Sequence, residues 1–129
     1  MRPRRSAFII AALTALTALT AIAALVAAAT ASAATPKLVG ETGPGFTIEV
    51  KTAAGKDVKS LKAGTYVLKV EDKSSIHNFH LIGPGVNKKT TVAGMGTTTW
   101  VLTLRRGTYR YICDPHATIM KGKFVVQAP

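Results

Sequence analysis

Residues 34–129 predict an all-β fold, an antiparallel sandwich or small barrel, on three observations. Short segments alternate apolar with polar residues, the pattern of strands with one buried face. Turns bearing Gly or Pro separate them, among them Ala54-Gly55-Lys56, Gly83-Pro84-Gly85 and Arg105-Arg106-Gly107. No stretch of this region sustains a helical period, and about seven short strands in so small a domain belong to a two-layer β architecture. The 96 residues suffice for one hydrophobic core and not for two.

An N-terminal signal segment precedes this domain. Arg2, Arg4 and Arg5 stand before an uncharged, Ala/Leu/Thr-rich run that ends in Ala31-Ser32-Ala33. A basic start, an apolar stretch and a small-x-small end make up a secretory signal. Residues 1–33 are therefore expected to be a signal peptide cleaved near Ala33, and 34–129 the mature domain, exported to a periplasm, the cell surface or the medium. The apolar run is also long enough for an uncleaved anchor.

Within the domain, Phe46, Ile48 and Val50 alternate with polar residues and give the first expected strand. Thr65 to Val70 is rich in β-formers and gives the next. His77 to Leu81 follows, with His77, Phe79 and Leu81 on one register and His80 on the other. Thr97 to Leu104 alternates again, with Trp100 expected to anchor the core. The chain then turns and returns through Thr108 to Cys113, and Lys123 to Val126 closes the domain. Tyr109, Tyr111 and Cys113 share a face. Arg110 points the other way, so the Tyr-Tyr-Cys face is the inner one.

Cys113 is the chain's single cysteine. Exported proteins ordinarily use cysteines in pairs, as disulfides, so an unpaired one is either a small buried hydrophobe or a chemical group. It opens the run Cys113-Asp114-Pro115-His116-Ala117-Thr118-Ile119-Met120. Thiolate, imidazole and thioether are ligands of a mononuclear copper site, which needs one more histidine. His77 sits on a core-facing register and can supply it, whereas His80 reads as a half-exposed strand histidine. Met95, in Gly94-Met95-Gly96, is a loop methionine expected to pack on the end of the sandwich or to approach the site from the side.

Residues 34–129 hold 14 Lys and Arg against 6 Asp and Glu, a net charge of +8. Such a balance suits an acidic protein partner, an anionic surface or nucleic acid. The cations are scattered, apart from Lys88-Lys89 and Arg105-Arg106. With neither a basic helix nor a zinc pattern, and an export signal ahead, nucleic acid is excluded.

The pattern Leu104-x-x-Gly107-x-Tyr109-x-Tyr111-x-Cys113-x-x-His116, continued by Met120 and Gly122-Lys123, resembles the C-terminal half of the small blue copper proteins, the cupredoxins, and within them the plastocyanin and amicyanin group. His77-Asn78 resembles the family's first copper histidine and its following asparagine. The resemblance covers most of residues 45 to 127. It implies an eight-stranded Greek-key β-sandwich with one copper ion, Cu(I) or Cu(II), held at one end by His77, Cys113, His116 and Met120. It also implies that the Asn78 side chain ties the two ligand segments together. His116 and Met120 enclose three residues, one fewer than in plastocyanins and one more than in amicyanins. Ile112 stands where plant plastocyanins have a tyrosine, and Lys88-Lys89 lies where they carry acidic patches, which argues against a photosynthetic role.

The function that follows is one-electron transport between protein partners, with the edge of His116 as the port, ringed by Pro84, Val86, Pro115 and Ile119. A docking partner with an acidic patch and a monomeric state fit the charge and size. The alternative is an extracytoplasmic protein that delivers or detoxifies copper with the same ligands. An enzyme is disfavoured, since copper oxidases need further histidine clusters and this chain has three histidines in all. An adhesive sandwich would leave the ligand set without a purpose.

Overall fold

The computed structural model describes residues 32–129; the expected signal segment lies almost wholly outside them. The described chain forms β1 (Lys37–Thr42), β2 (Ile48–Thr52), β3 (Ser60–Lys62), β4 (Gly64–Asp72), β5 (His80–Gly83), β6 (Val86–Lys89), β7 (Gly96–Leu104), β8 (Gly107–Ile112) and β9 (Lys121–Gln127). One sheet has four strands in the order β2-β1-β4-β7, and the other five in the order β3-β9-β8-β5-β6. The all-β sandwich expected from alternation is therefore present, with nine strands among the described residues.

It is not antiparallel throughout. β1 runs parallel to β4, and β3 runs parallel to β9, while the remaining pairs are antiparallel. Alternation reveals which face of a strand is buried, not which way its neighbour runs, so the mixed pairing had no local signal. β1, β3 and β6 also escaped the sequence reading: β3 and β6 are only three and four residues long, too short to show a period.

The inner faces meet in one core. Leu38, Val50, Leu68, Val70, Leu102 and Leu104 come from the four-stranded sheet, and Leu81, Tyr109, Phe124 and Val126 from the other. Trp100 packs against this core but remains half-buried. Aromatic rings stack inside: Tyr109 lies on Phe124 with centroids 5.3 Å apart, and Phe79 on Tyr111 at 6.1 Å. Two glycines make room for these rings. A Cβ at Gly83 would enter the Tyr109 ring, and one at Gly122 would enter Tyr111.

The register fixes which end is which. His80 pairs with Ile112, and Ile112 with Lys121, at the end where Cys113 begins its loop. Gly83 ends β5 and Gly107 begins β8 at the opposite end. There the Tyr109 hydroxyl accepts from the Arg105 amide (2.9 Å) and donates to the Pro84 carbonyl (2.9 Å), pinning two turns together. Pro84 and Val86 therefore belong to the end remote from Cys113. The expectation that they ring His116 is overturned, because β5 and β6 carry them a full strand length away.

Gly122→Ala should lower the stability to urea by about 1–3 kcal/mol through overpacking against Tyr111. Tyr109→Phe should cost about 1–2 kcal/mol by stranding the Arg105 amide and the Pro84 carbonyl. Equilibrium denaturation measures both, and a loss-free Gly122→Ala would contradict the packing described.

Candidate metal centre

Three potential ligand atoms converge at the end of the sandwich. His77 Nδ1 and His116 Nδ1 are 3.1 Å apart, and Cys113 Sγ lies 3.7 Å and 3.6 Å from them. His77, Cys113 and His116 form a cluster whose ligand atoms all lie within 4.8 Å of one another. His77 and Cys113 are fully buried, and His116 is half-buried.

Local structure explains the convergence. Cys113 directly follows β8 and keeps its core-facing register, as alternation predicts. The chain then makes a 3-10 turn over Asp114–His116, with Pro115 supplying the fixed φ that starts it. The Cys113 carbonyl accepts from the His116 amide (3.0 Å), the His116 carbonyl from the Met120 amide (2.8 Å), and the Met120 carbonyl from the Cys113 amide (3.0 Å). This closed loop turns the His116 ring back over the sulfur and returns Met120 to the interior, where it is 1% exposed. His77 arrives differently. It lies ahead of β5, not within a strand as expected, yet the register toward Phe79 and Leu81 still carries it inward.

The donor chemistry fits a metal. A point equidistant from the three atoms lies about 2.0 Å from each, within the range of roughly 2.0–2.3 Å for nitrogen and sulfur bonds to a divalent first-row ion. His77 Nε2 is buried without a hydrogen-bond partner, so Nδ1 carries the ring's only polar contacts. Two imidazole nitrogens facing each other across 3.1 Å repel unless a proton or cation lies between them. A metal ion satisfies both lone pairs and the thiolate together.

Asn78 fastens the two ligand segments. Its amide N–H donates to Cys113 Sγ (3.4 Å), and its side-chain oxygen accepts from the Asp114 amide (2.7 Å). Its Nδ2 donates to Asp114 Oδ2 (2.8 Å) and to the Thr90 carbonyl (3.3 Å). The side-chain tie that the family resemblance implied is thus made by the two hydrogen bonds to Asp114, and the main-chain N–H adds a bond directly to a ligand atom, the sulfur. His80 is outside the cluster, half-buried as expected. Its Nδ1 meets Asp114 Oδ1 at 2.8 Å and its Nε2 meets Asn87 Oδ1 at 2.7 Å. Burial pushes the Asp114 carboxyl up, but the hydrogen bonds from His80 and Asn78 outweigh it and hold it below the usual carboxylate range.

Two placements differ from the sequence reading. Met95 is 64% exposed, so it is not packed into the sandwich end as Met120 is. Alternation predicts a strand beginning at Phe46, but this residue precedes β2 and its ring lies edge-on to both histidines, 5.2 Å from His77 and 5.0 Å from His116. It is 57% exposed. With exposed Ile76 and Ile119, which adjoin His77 and Met120 in sequence, it gives this end an apolar rim in place of Pro84 and Val86. The Gly43-Pro44-Gly45 turn before it was the available sequence signal, since so punctuated a segment is a loop and not a strand.

The sequence pattern of the copper binding proteins of the plastocyanin/azurin family matches residues 47–127. The chain belongs to that family, and its fold is the cupredoxin fold. Among solved structures it is similar to reduced rusticyanin, with 25% identity, 74% of this chain and 81% of that chain covered, and a TM-score of 0.53. Rusticyanin from Thiobacillus ferrooxidans shares the fold at 24% identity, covering 74% and 79% of the two chains with a TM-score of 0.51. No curated protein matches the sequence. Copper is the cofactor of this chain, and the His77, Cys113 and His116 cluster is arranged for one such ion.

Asn78→Ala should lower stability by about 1–3 kcal/mol, because the Asp114 amide and carboxylate lose partners. His80→Ala should cost less and leave the ligand cluster intact. The folded Asp114 pKa is depressed, so its stabilisation is full above the unfolded value of about 3.9 and is lost as pH falls through the folded one. The stability deficit of Asp114→Asn should therefore shrink on acidification below about pH 4, and denaturation curves across that range check the sign.

Proposed function

We propose that this chain is an exported mononuclear blue copper protein that carries one electron at a time between protein partners, and is not an enzyme. The observation that carries this reading is the convergence of two Nδ1 atoms and one Sγ at the end of a rigid sandwich. His77, Cys113 and His116 would hold the ion strongly and the Met120 thioether weakly, a ligand set that suits both copper oxidation states. When bound, copper supplies the one-electron couple. The protein holds the ligands still: Asn78 and the closed Cys113–Met120 loop resist rearrangement on redox change, and the Asn78 N–H stabilises negative charge on sulfur. Burial of His77, Cys113 and Met120 favours retention of the ion over its delivery to another protein.

Half-buried His116 is the exit for the electron, beside the apolar rim of Phe46, Ile76 and Ile119. A small apolar contact of this kind suits a partner that must leave quickly. The signal-like segment supports a periplasmic, cell-surface or secreted location, and the size of the domain supports a monomer. The net charge of +8 on residues 34–129 supports partners with acidic docking patches, steered in part by Lys88-Lys89.

Copper-loaded protein should show intense thiolate-to-copper absorption that Cys113→Ser abolishes; undiminished blue colour in that variant would sink the reading. Met120→Leu should keep the colour and raise the reduction potential, because a thioether would be only a weak, potential-tuning ligand. In stopped-flow oxidation by an acidic redox protein, the rate should fall as salt rises. Reversing the charge of Lys88 and Lys89 together should slow association while leaving spectrum and potential unchanged.

A further inference from the structure

The charges of the two sheets are segregated. In the four-stranded sheet the glutamates are matched with lysines: Lys51 with Glu49 and Lys69 with Glu71 at 2.6 Å, and neighbouring Lys73 with Glu41 at 2.8 Å. The strands of the five-stranded sheet contain no Asp or Glu, and their lysines and arginine make no ion pair among the described residues; of their basic groups only His80 meets a carboxylate, that of Asp114. On its outer face Arg110 stands directly opposite Lys123, and Ile112 opposite Lys121. Like charges facing each other across a ladder are destabilising, so this arrangement opposes folding stability and needs another source of advantage.

The same residues line a groove of about 460 Å³, with Ile112 and Gly122 between the cations and Ala117 of the ligand loop at one end. Arg110, Lys121 and Lys123 are exposed. Residues two apart along a strand are roughly 6.6–6.8 Å apart, a spacing that successive carboxylates of an extended segment share. Lys89 extends the positive face across the sheet, in register with His80 and through it with Ile112.

We infer that the outer face of β8 and β9 is a docking groove for an acidic, extended protein segment whose carboxylates meet Arg110, Lys121 and Lys123 and whose apolar side chains rest on Ile112. A concave groove with an apolar floor favours a peptide over a flat anionic bilayer, which would meet only the rim. The inference names a surface for the acidic partner invoked above, and rests on that reading only for the partner being a redox protein. Docking here leaves the rim at His116 open, because the groove is on a sheet face and the rim at the sheet's end.

The test uses copper-loaded full-length protein, a decaglutamate peptide and vesicles of phosphatidylglycerol. Titration followed by NMR should shift the amides of Ile112, Lys121 and Gly122 most strongly. Arg110→Gln/Lys121→Gln/Lys123→Gln should weaken peptide binding about tenfold or more. Lys37→Gln/Lys56→Gln/Lys69→Gln, which removes the same charge from the four-stranded side, should change it less than about threefold. Equal weakening by both triple variants would reduce the effect to net charge and overturn the inference. So would the absence of peptide binding at low salt, or groove-dependent binding to vesicles alone. Because peptide binding is read without electron transfer, a protein that binds the peptide but passes no electron would refute the carrier reading and leave the groove standing.

Discussion

Everything at the working end of this molecule depends on holding three electron-rich atoms closer together than they would stay unaided. Two imidazole nitrogens at 3.1 Å and a sulfur within 3.7 Å of each repel in the absence of a cation. The fold opposes that repulsion with Asn78, which bonds the sulfur and the Asp114 backbone at once, and with a loop whose carbonyl and amide groups close on themselves from Cys113 to Met120. Metal affinity and preorganisation are then the same property seen from two sides. A site already near its bound geometry loses little freedom on binding, and changes little when the charge of the ion changes.

The rest of the sandwich supports that end. Stacked aromatic rings seated over Gly83 and Gly122 lock β5, β8 and β9 in register, and this register brings Cys113 to the end of the sheet where His77 Nδ1 lies 3.7 Å from its sulfur. A shift of one residue would turn Cys113 out to solvent. Tyr109 fastens the opposite end. The core thus sets the positions of the ligands as well as the stability of the domain.

Charge is distributed with the same division of labour. Pairing on the four-stranded sheet neutralises its glutamates, while the lysines and arginine of the five-stranded sheet have no carboxylate partner among the described residues. A single net-charge value conceals this. The scattered lysines of the linear sequence look like ordinary solvated surface, and only the strand order β3-β9-β8-β5-β6 gathers Lys121, Lys123, Arg110 and Lys89 onto one side.

The sequence by itself determined the fold class and pointed to the cluster of His77, Cys113 and His116, because these follow largely from local quantities. Period-two alternation put Tyr109, Tyr111 and Cys113 on the inner face, and the Cys113–Met120 spacing is set within one loop. His77 was legible through its register with Phe79 and Leu81, although it lies outside the strand that this register suggested. Tertiary structure decided what depends on partners distant in the chain. The parallel pairing of β1 with β4 leaves no mark on alternation. Phe46 reaches the histidines only because the turn before β2 folds over them, and Pro84 and Val86 leave the site only because β5 runs antiparallel to β8. The segregation of charge between sheets is likewise a product of strand order, which no single segment encodes.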